Sequence, residues 1–208
     1  MRKDNKARGM AQPPRYRYSI VYHQLRNELG ISIFQCCLLD TVIRQNLQSG
    51  HSRDISFLAI HLRVSRGRIY DALESFYELG LIEAVNERGY APTSKAVNQW
   101  EEAQKRNEGL RFTKVFPELR REMGIEFKAY CLLDAVYHLS KSRGESNARH
   151  GYFEKVFGIT ERDFRDKREK LGSFLIRTGE RGLKLTSEVR SDFSHYYHFS
   201  ERQGLPFP

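Results

Sequence analysis

The chain is expected to be mainly α-helical with small β-hairpins, an α+β chain made of two copies of one domain. Three observations lead there. The chain repeats itself, apolar residues recur at helical spacing within each copy, and a Glu-Arg-Gly turn flanked by short apolar runs closes each copy. The repeat is read directly: YSIVYHQLRNELGISIFQCCLLDTVIRQNLQSG from Tyr18 and FTKVFPELRREMGIEFKAYCLLDAVYHLSKSRG from Phe112 align without gaps at an offset of 94. They share Leu25/Leu119, Arg26/Arg120, Gly30/Gly124, Ile31/Ile125, Cys37/Cys131 and Asp40/Asp134 among others. Glu87-Arg88-Gly89 with Thr93-Ser94 then matches Glu180-Arg181-Gly182 with Thr186-Ser187 at an offset of 93. A period of that size is a domain rather than a solenoid unit.

The organisation follows in order. Residues 1–17 form a basic arm that holds Arg2, Lys3, Lys6, Arg8, Arg15 and Arg17 against Asp4 alone, six cations against one acid. It therefore supplies +5 of the chain's formal +9 and either lies along phosphates or serves as a solubilising terminus. Residues 18–100 are the first domain. Ile33 to Leu47 suits a buried amphipathic helix and Ile55 to Leu62 a shorter one. Ser65 is a good N-cap for a third helix, Arg66 to Leu79, with Ile69, Leu73, Phe76 and Leu79 on its apolar face and Gly80 as its stop. Leu81 to Val85 and Tyr90 to Thr93 flank the turn of a hairpin. Residues 101–111 are a polar, helix-prone linker, 112–199 the second domain and 200–208 a tail.

Helix, helix, tight turn, helix and hairpin is the order of a winged helix-turn-helix domain, and the residues carry that resemblance. ISFLAIHLRVSRGRIYDALESFYELGLIE resembles the helix-turn-helix of bacterial transcriptional regulators, with its "LA" helix, "VS" turn and "LGLI" end. CLLDAVYHLS, with a later wing and Trp100, is similar to winged-helix domains of phage and plasmid replication proteins. The resemblance implies two tandem winged helices and DNA binding. In the second copy Gly158-Ile159-Thr160 matches the turn and Thr160 with Asp163 makes a capping-box start, but Arg168 falls where Leu73 stood.

A recognition helix reads base edges in the major groove, where arginine bonds guanine in a bidentate manner and tyrosine touches thymine methyl or phosphate. The candidates in the first copy are Arg66, Gly67, Arg68, Tyr70 and Asp71, with Asp71 either accepting from cytosine or pairing with Arg68. In the second copy they are Arg162, Arg165 and Lys167, interleaved with acids and so weaker. Arg88 and Arg181 stand at the wing tips, set to meet phosphate or to solubilise the turn. The recurring Arg26 and Arg120 read as structural ion pairs with Glu28 and Glu122, and Asp40 and Asp134 as braces for the adjoining turn.

Function classes are bounded by what is missing from the residue string. With 39% hydrophobic and 29% charged residues the composition is neither disordered nor membrane-spanning. The phosphate-loop, dinucleotide, HExxH and GxSxG signatures are all missing, which points away from an enzyme, and no cofactor or metal set is legible in the seven histidines. Cys36, Cys37 and Cys131 sit in apolar runs and read as buried thiols of a reducing, cytoplasmic or nucleoid-associated protein. The expectation is a non-enzymatic, duplex-DNA-binding transcriptional regulator of a bacterial or mobile genetic element. Origin binding in plasmid or phage DNA replication and a winged-helix protein-interaction module are the alternatives. The second copy, with the HYYHF segment, leaves a homodimer or another protein partner open.

Overall fold

The structure is a computed structural model and describes residues 18–50, 54–85, 89–106, 112–141, 146, 150–178 and 182–202. One order of elements occurs twice. The first half runs β1 (Ser19–Tyr22), α1 (His23–Leu29), α2 (Ile33–Ser49), α3 (Ile55–Leu62), α4 (Arg66–Glu78), β2 (Ile82–Val85), β3 (Gly89–Pro92) and α5 (Ser94–Arg106). The second runs β4 (Phe112–Val115), α6 (Pro117–Glu122), α7 (Phe127–Leu139), α8 (His150–Phe157), α9 (Glu161–Lys170), β5 (Leu175–Thr178), β6 (Gly182–Leu185) and α10 (Ser187–Arg202). The fold is thus mainly helical, with three small antiparallel strand pairs among the described residues.

Local chemistry sets the helix ends. Ser32 caps α2 in a full capping box with Gln35, Asp54 caps α3, and Ser65 accepts from the Arg68 amide to start α4. Thr160 and Asp163 exchange bonds at the start of α9, the Asp163 amide donating to the Thr160 hydroxyl at 3.1 Å. Along α4, Ile69, Ala72, Leu73 and Phe76 are buried. Leu79 departs from the expected apolar face: it is 42% exposed, because it stands at the C-cap, where the chain leaves the helix.

The two halves are not beads on a spacer. β1 pairs with β4, with Val21 opposite Thr113 and Ile20 opposite Lys114, the position 94 residues on. The ribbon therefore has approximate two-fold symmetry about the Ile20–Lys114 pair. α2 packs on β1, α7 on β4, α2 against α7 and α1 against α8. The first part of the helix-prone linker continues α5 to Arg106, where Ala103 is buried and Arg106 pairs with Glu28 and Glu102; residues 107–111 lie outside the described residues. One core results, with the three cysteines as buried free thiols. Among the described residues no helix is long and apolar enough to cross a membrane.

Candidate functional site

The α3–turn–α4 segment is built from short pieces. α3 ends at Leu62, Arg63 enters the left-handed region with φ 54°, and Val64 returns its amide to the Ala59 carbonyl. Ser65 then caps α4, so that the turn and the helix start form one hydrogen-bonded unit.

The structure splits the expected α4 residues into two edges. At about 100° per residue, Arg66 and Tyr70 share one edge, Gly67 and Asp71 lie on the outer face, and Arg68 lies on the opposite edge. Tyr70 is 59% exposed, and Arg66, Gly67 and Asp71 are exposed beside it. Nothing stands within 4 Å of a Cβ placed on Gly67, so the outer face is open there. Glu74 and Glu78 follow on the same outer face, which confines any approach of a polyanion to the first two turns.

Arg68 is engaged. Its guanidinium lies 4.4 Å from the centroid of the Phe34 ring at the start of α2 and 5.5 Å from that of Phe127 at the start of α7. Of the alternatives for Arg68, the pair with Asp71 is not the one formed: the aromatic faces of Phe34 in its own half and of Phe127 in the other attract the cation instead.

In the second half, Arg162 and Arg165 are exposed on α9, and Arg165 pairs with Glu161 at 3.5 Å. Glu161 and Asp163 occupy the first turn, where they favour the helix dipole but oppose phosphate. Asp163 also holds Lys128 of α7 at 2.7 Å, and that lysine keeps the carboxyl pKa below its ordinary value. Lys167 belongs to α9, but its side chain lies outside the described residues, as do the wing tips Arg88 and Arg181 and the arm residues Arg2, Lys3, Lys6, Arg8, Arg15 and Arg17.

Two expectations need correction. Arg26 does not pair with Glu28, nor Arg120 with Glu122, because residues two apart on a helix do not face each other. Arg120 is buried and crosses the interface: Nη2 donates to the Leu62 and Arg63 carbonyls at 3.3 and 3.0 Å, and Nη1 to Ile125 O at 2.9 Å. Its guanidinium sits 4.2 Å from the centroid of Phe127. Arg26 reaches the other way, bonding the Asn27 side chain and lying against Gly158, where a Cβ would collide with its guanidinium. The only sequence signal for these contacts was the recurrence of both arginines at one offset.

Asp40 and Asp134 brace more than a turn. Asp40 accepts from the Ile20 amide, the Arg44 guanidinium and the Trp100 indole, each at 2.9 Å, and so ties β1 and α5 to α2. Asp134 accepts from the Tyr197 hydroxyl at 2.6 Å, and burial pushes its pKa up to about 7. Tyr196 and Tyr197 of the HYYHF segment are buried within the chain, as is Phe193 just before it, while His195 and His198 are exposed. No family model, curated protein or solved structure matches the chain.

Proposed function

We propose that the chain is a non-enzymatic, duplex-DNA-binding protein built from two winged helix-turn-helix halves that arose by internal duplication. It acts as a transcriptional regulator of a bacterial or mobile genetic element. The observation that carries this reading is the open N-terminal face of α4, where Arg66, Gly67, Tyr70 and Asp71 stand exposed on a helix whose other face is locked into the core. Such a face offers a cation, an aromatic hydroxyl and a backbone without a side chain to one stretch of groove. The acids on α9 make it the poorer reader, so the preferred site is asymmetric.

Unbiased selection of duplex sites from a random pool tests this. Arg66→Ala and Tyr70→Ala are each expected to weaken binding to the selected duplex by about 1–3 kcal/mol, and Arg162→Ala by less. A chain that selects no duplex at low salt, or one that selects equal palindromic half-sites, defeats the reading. A reporter driven from a promoter carrying the selected site then separates regulation from origin binding.

A further inference from the structure

The second half finishes the turn that launches α4 of the first. α3 ends with carbonyls that its own helix leaves unpaired, and two of them, Leu62 O and Arg63 O, are taken by Arg120 of α6 in the second half. A cation at a helix C-terminus is favoured by the dipole, and the Phe127 ring shields this one from water. Glu118, also on α6, stands 3.7 Å from the Arg63 guanidinium. One turn further on, Arg68 of α4 lies over the same Phe127 ring. The start of α4 is therefore held from the second half at two points, the turn carbonyls and the Arg63 side chain, while the Arg68 guanidinium lies between Phe127 and the nearer Phe34 of its own half.

The second half carries the converse arrangement with fewer ties. Arg26 of α1 lies against Gly158, the residue that corresponds to Arg63 at an offset of 95, and His23 packs edge-on against Phe157 with centroids 4.6 Å apart. The start of α9 is otherwise fixed within its own half, by Lys128 and Asp163.

We propose that Arg120 is a positioning residue for DNA reading by α4: the second half aims the helix of the first without itself touching the bases that α4 reads. This inference rests on the DNA-binding reading above and adds a dependence of one half on the other that tandem, independent heads would lack. Arg120 is buried in the interface, so it acts through the Leu62–Ser65 turn rather than on phosphate.

The test uses the full-length chain and a duplex selected by the wild type. Arg120→Ala is expected to weaken binding about tenfold, within the ordinary range of coupling between sites, with the slope of affinity against salt unchanged. Amide hydrogen exchange should accelerate at Val64 and Arg68 and not at Ile159 or Asp163, whereas Arg26→Ala should do the converse. Arg120→Lys, which keeps the charge but not the forked donors, should fall between wild type and Ala, and it remains informative if Arg120→Ala does not fold. Affinity within twofold of wild type for both variants overturns the proposal. So does a salt slope reduced by about one, since Arg120 would then touch phosphate directly. A wild type that binds no duplex sinks the DNA reading instead, and unchanged exchange at Val64 and Arg68 in Arg120→Lys and Arg120→Ala sinks the restraint on its own.

Discussion

At the turn before α4 the first half places Arg63 in the left-handed region, whereas the second half has Gly158 at the corresponding turn before α9. Gly158 has no Cβ and leaves room for Arg26, and Arg63 instead sends its side chain to Glu118. A similar exchange occurs one turn later. Arg68 over Phe34 in the first half corresponds to Asp163 bonded to Lys128 in the second, a cation on a ring replaced by an ion pair at the same junction. The buried aspartates differ too. Asp40 has Arg44 one turn along α2, while Asp134 has His138, whose pKa burial lowers to about 4. One backbone order therefore tolerates two chemistries at each junction, provided that each buried polar group keeps a partner.

The largest expected effect breaks the comparison at the aspartates. Asp40→Ala strands a buried Arg44 and should cost about 3–5 kcal/mol in denaturant unfolding. Asp134→Asn should be mild, because the amide still accepts from Tyr197. Its effect depends on pH in a definite direction. The folded pKa of Asp134, about 7, lies above its ordinary value of 3.8. Its contribution to stability is therefore complete below that ordinary value and is lost as pH rises through about 7. Lys114 and Lys141 pull the pKa down, as do the Tyr197 and Thr113 hydroxyls, but burial outweighs them. His138, lowered to about 4, has the opposite slope and stands 3.6 Å from Asp134, so both proteins are compared in a His138→Gln background to isolate the carboxyl. The Asn variant should gain on wild type by about 1.4 kcal/mol per pH unit between pH 4 and 7 and then level off. Parallel unfolding curves for the two proteins across that range would exclude a raised carboxyl pKa.

The next effect sharpens the comparison at the turns. Gly158→Ala should destabilise by about 1–2 kcal/mol from its φ of 57° alone, with a further loss as the Arg26 guanidinium is displaced. Arg63→Gly should stabilise by up to about 1 kcal/mol, since it relieves a strained φ at the expense of a partly exposed ion pair. Thermal melts of both variants check the pair; equal effects of one sign would mean that the two turns are not equivalent. The smallest effect is at the helix starts. Lys128→Ala should cost under about 1 kcal/mol, because both partners of its ion pair are about a third exposed, and high salt should erase the difference.

Much of the fold was legible in the residues because it is local. Ser32, Asp54, Ser65 and Thr160 are caps within three residues of the groups they satisfy, and Gly80 stops α4 with a φ of 63°. The apolar spacing of Ile69, Leu73 and Phe76 marked the buried face of α4, and the exposure of Arg66 and Tyr70 follows from the same spacing. Periodicity could not say which edge of α4 meets a neighbour: Arg68 is exposed like Arg66, but its guanidinium lies over the Phe34 and Phe127 rings.

The sequence by itself determined the helix, helix, turn, helix and hairpin order, the helix caps and the open face of α4, all of which rest on contacts a few residues apart; the strands β1 and β4 were not part of that order. Only the tertiary structure decided that β1 pairs with β4, that Arg120 and Arg26 cross to opposite halves, and that Arg68 faces Phe127. These partners lie 57 or more residues apart, and no local pattern encodes them. They form because a short strand must find another strand for its amides and a buried guanidinium must find carbonyls or rings, and the nearest of these belong to the other half.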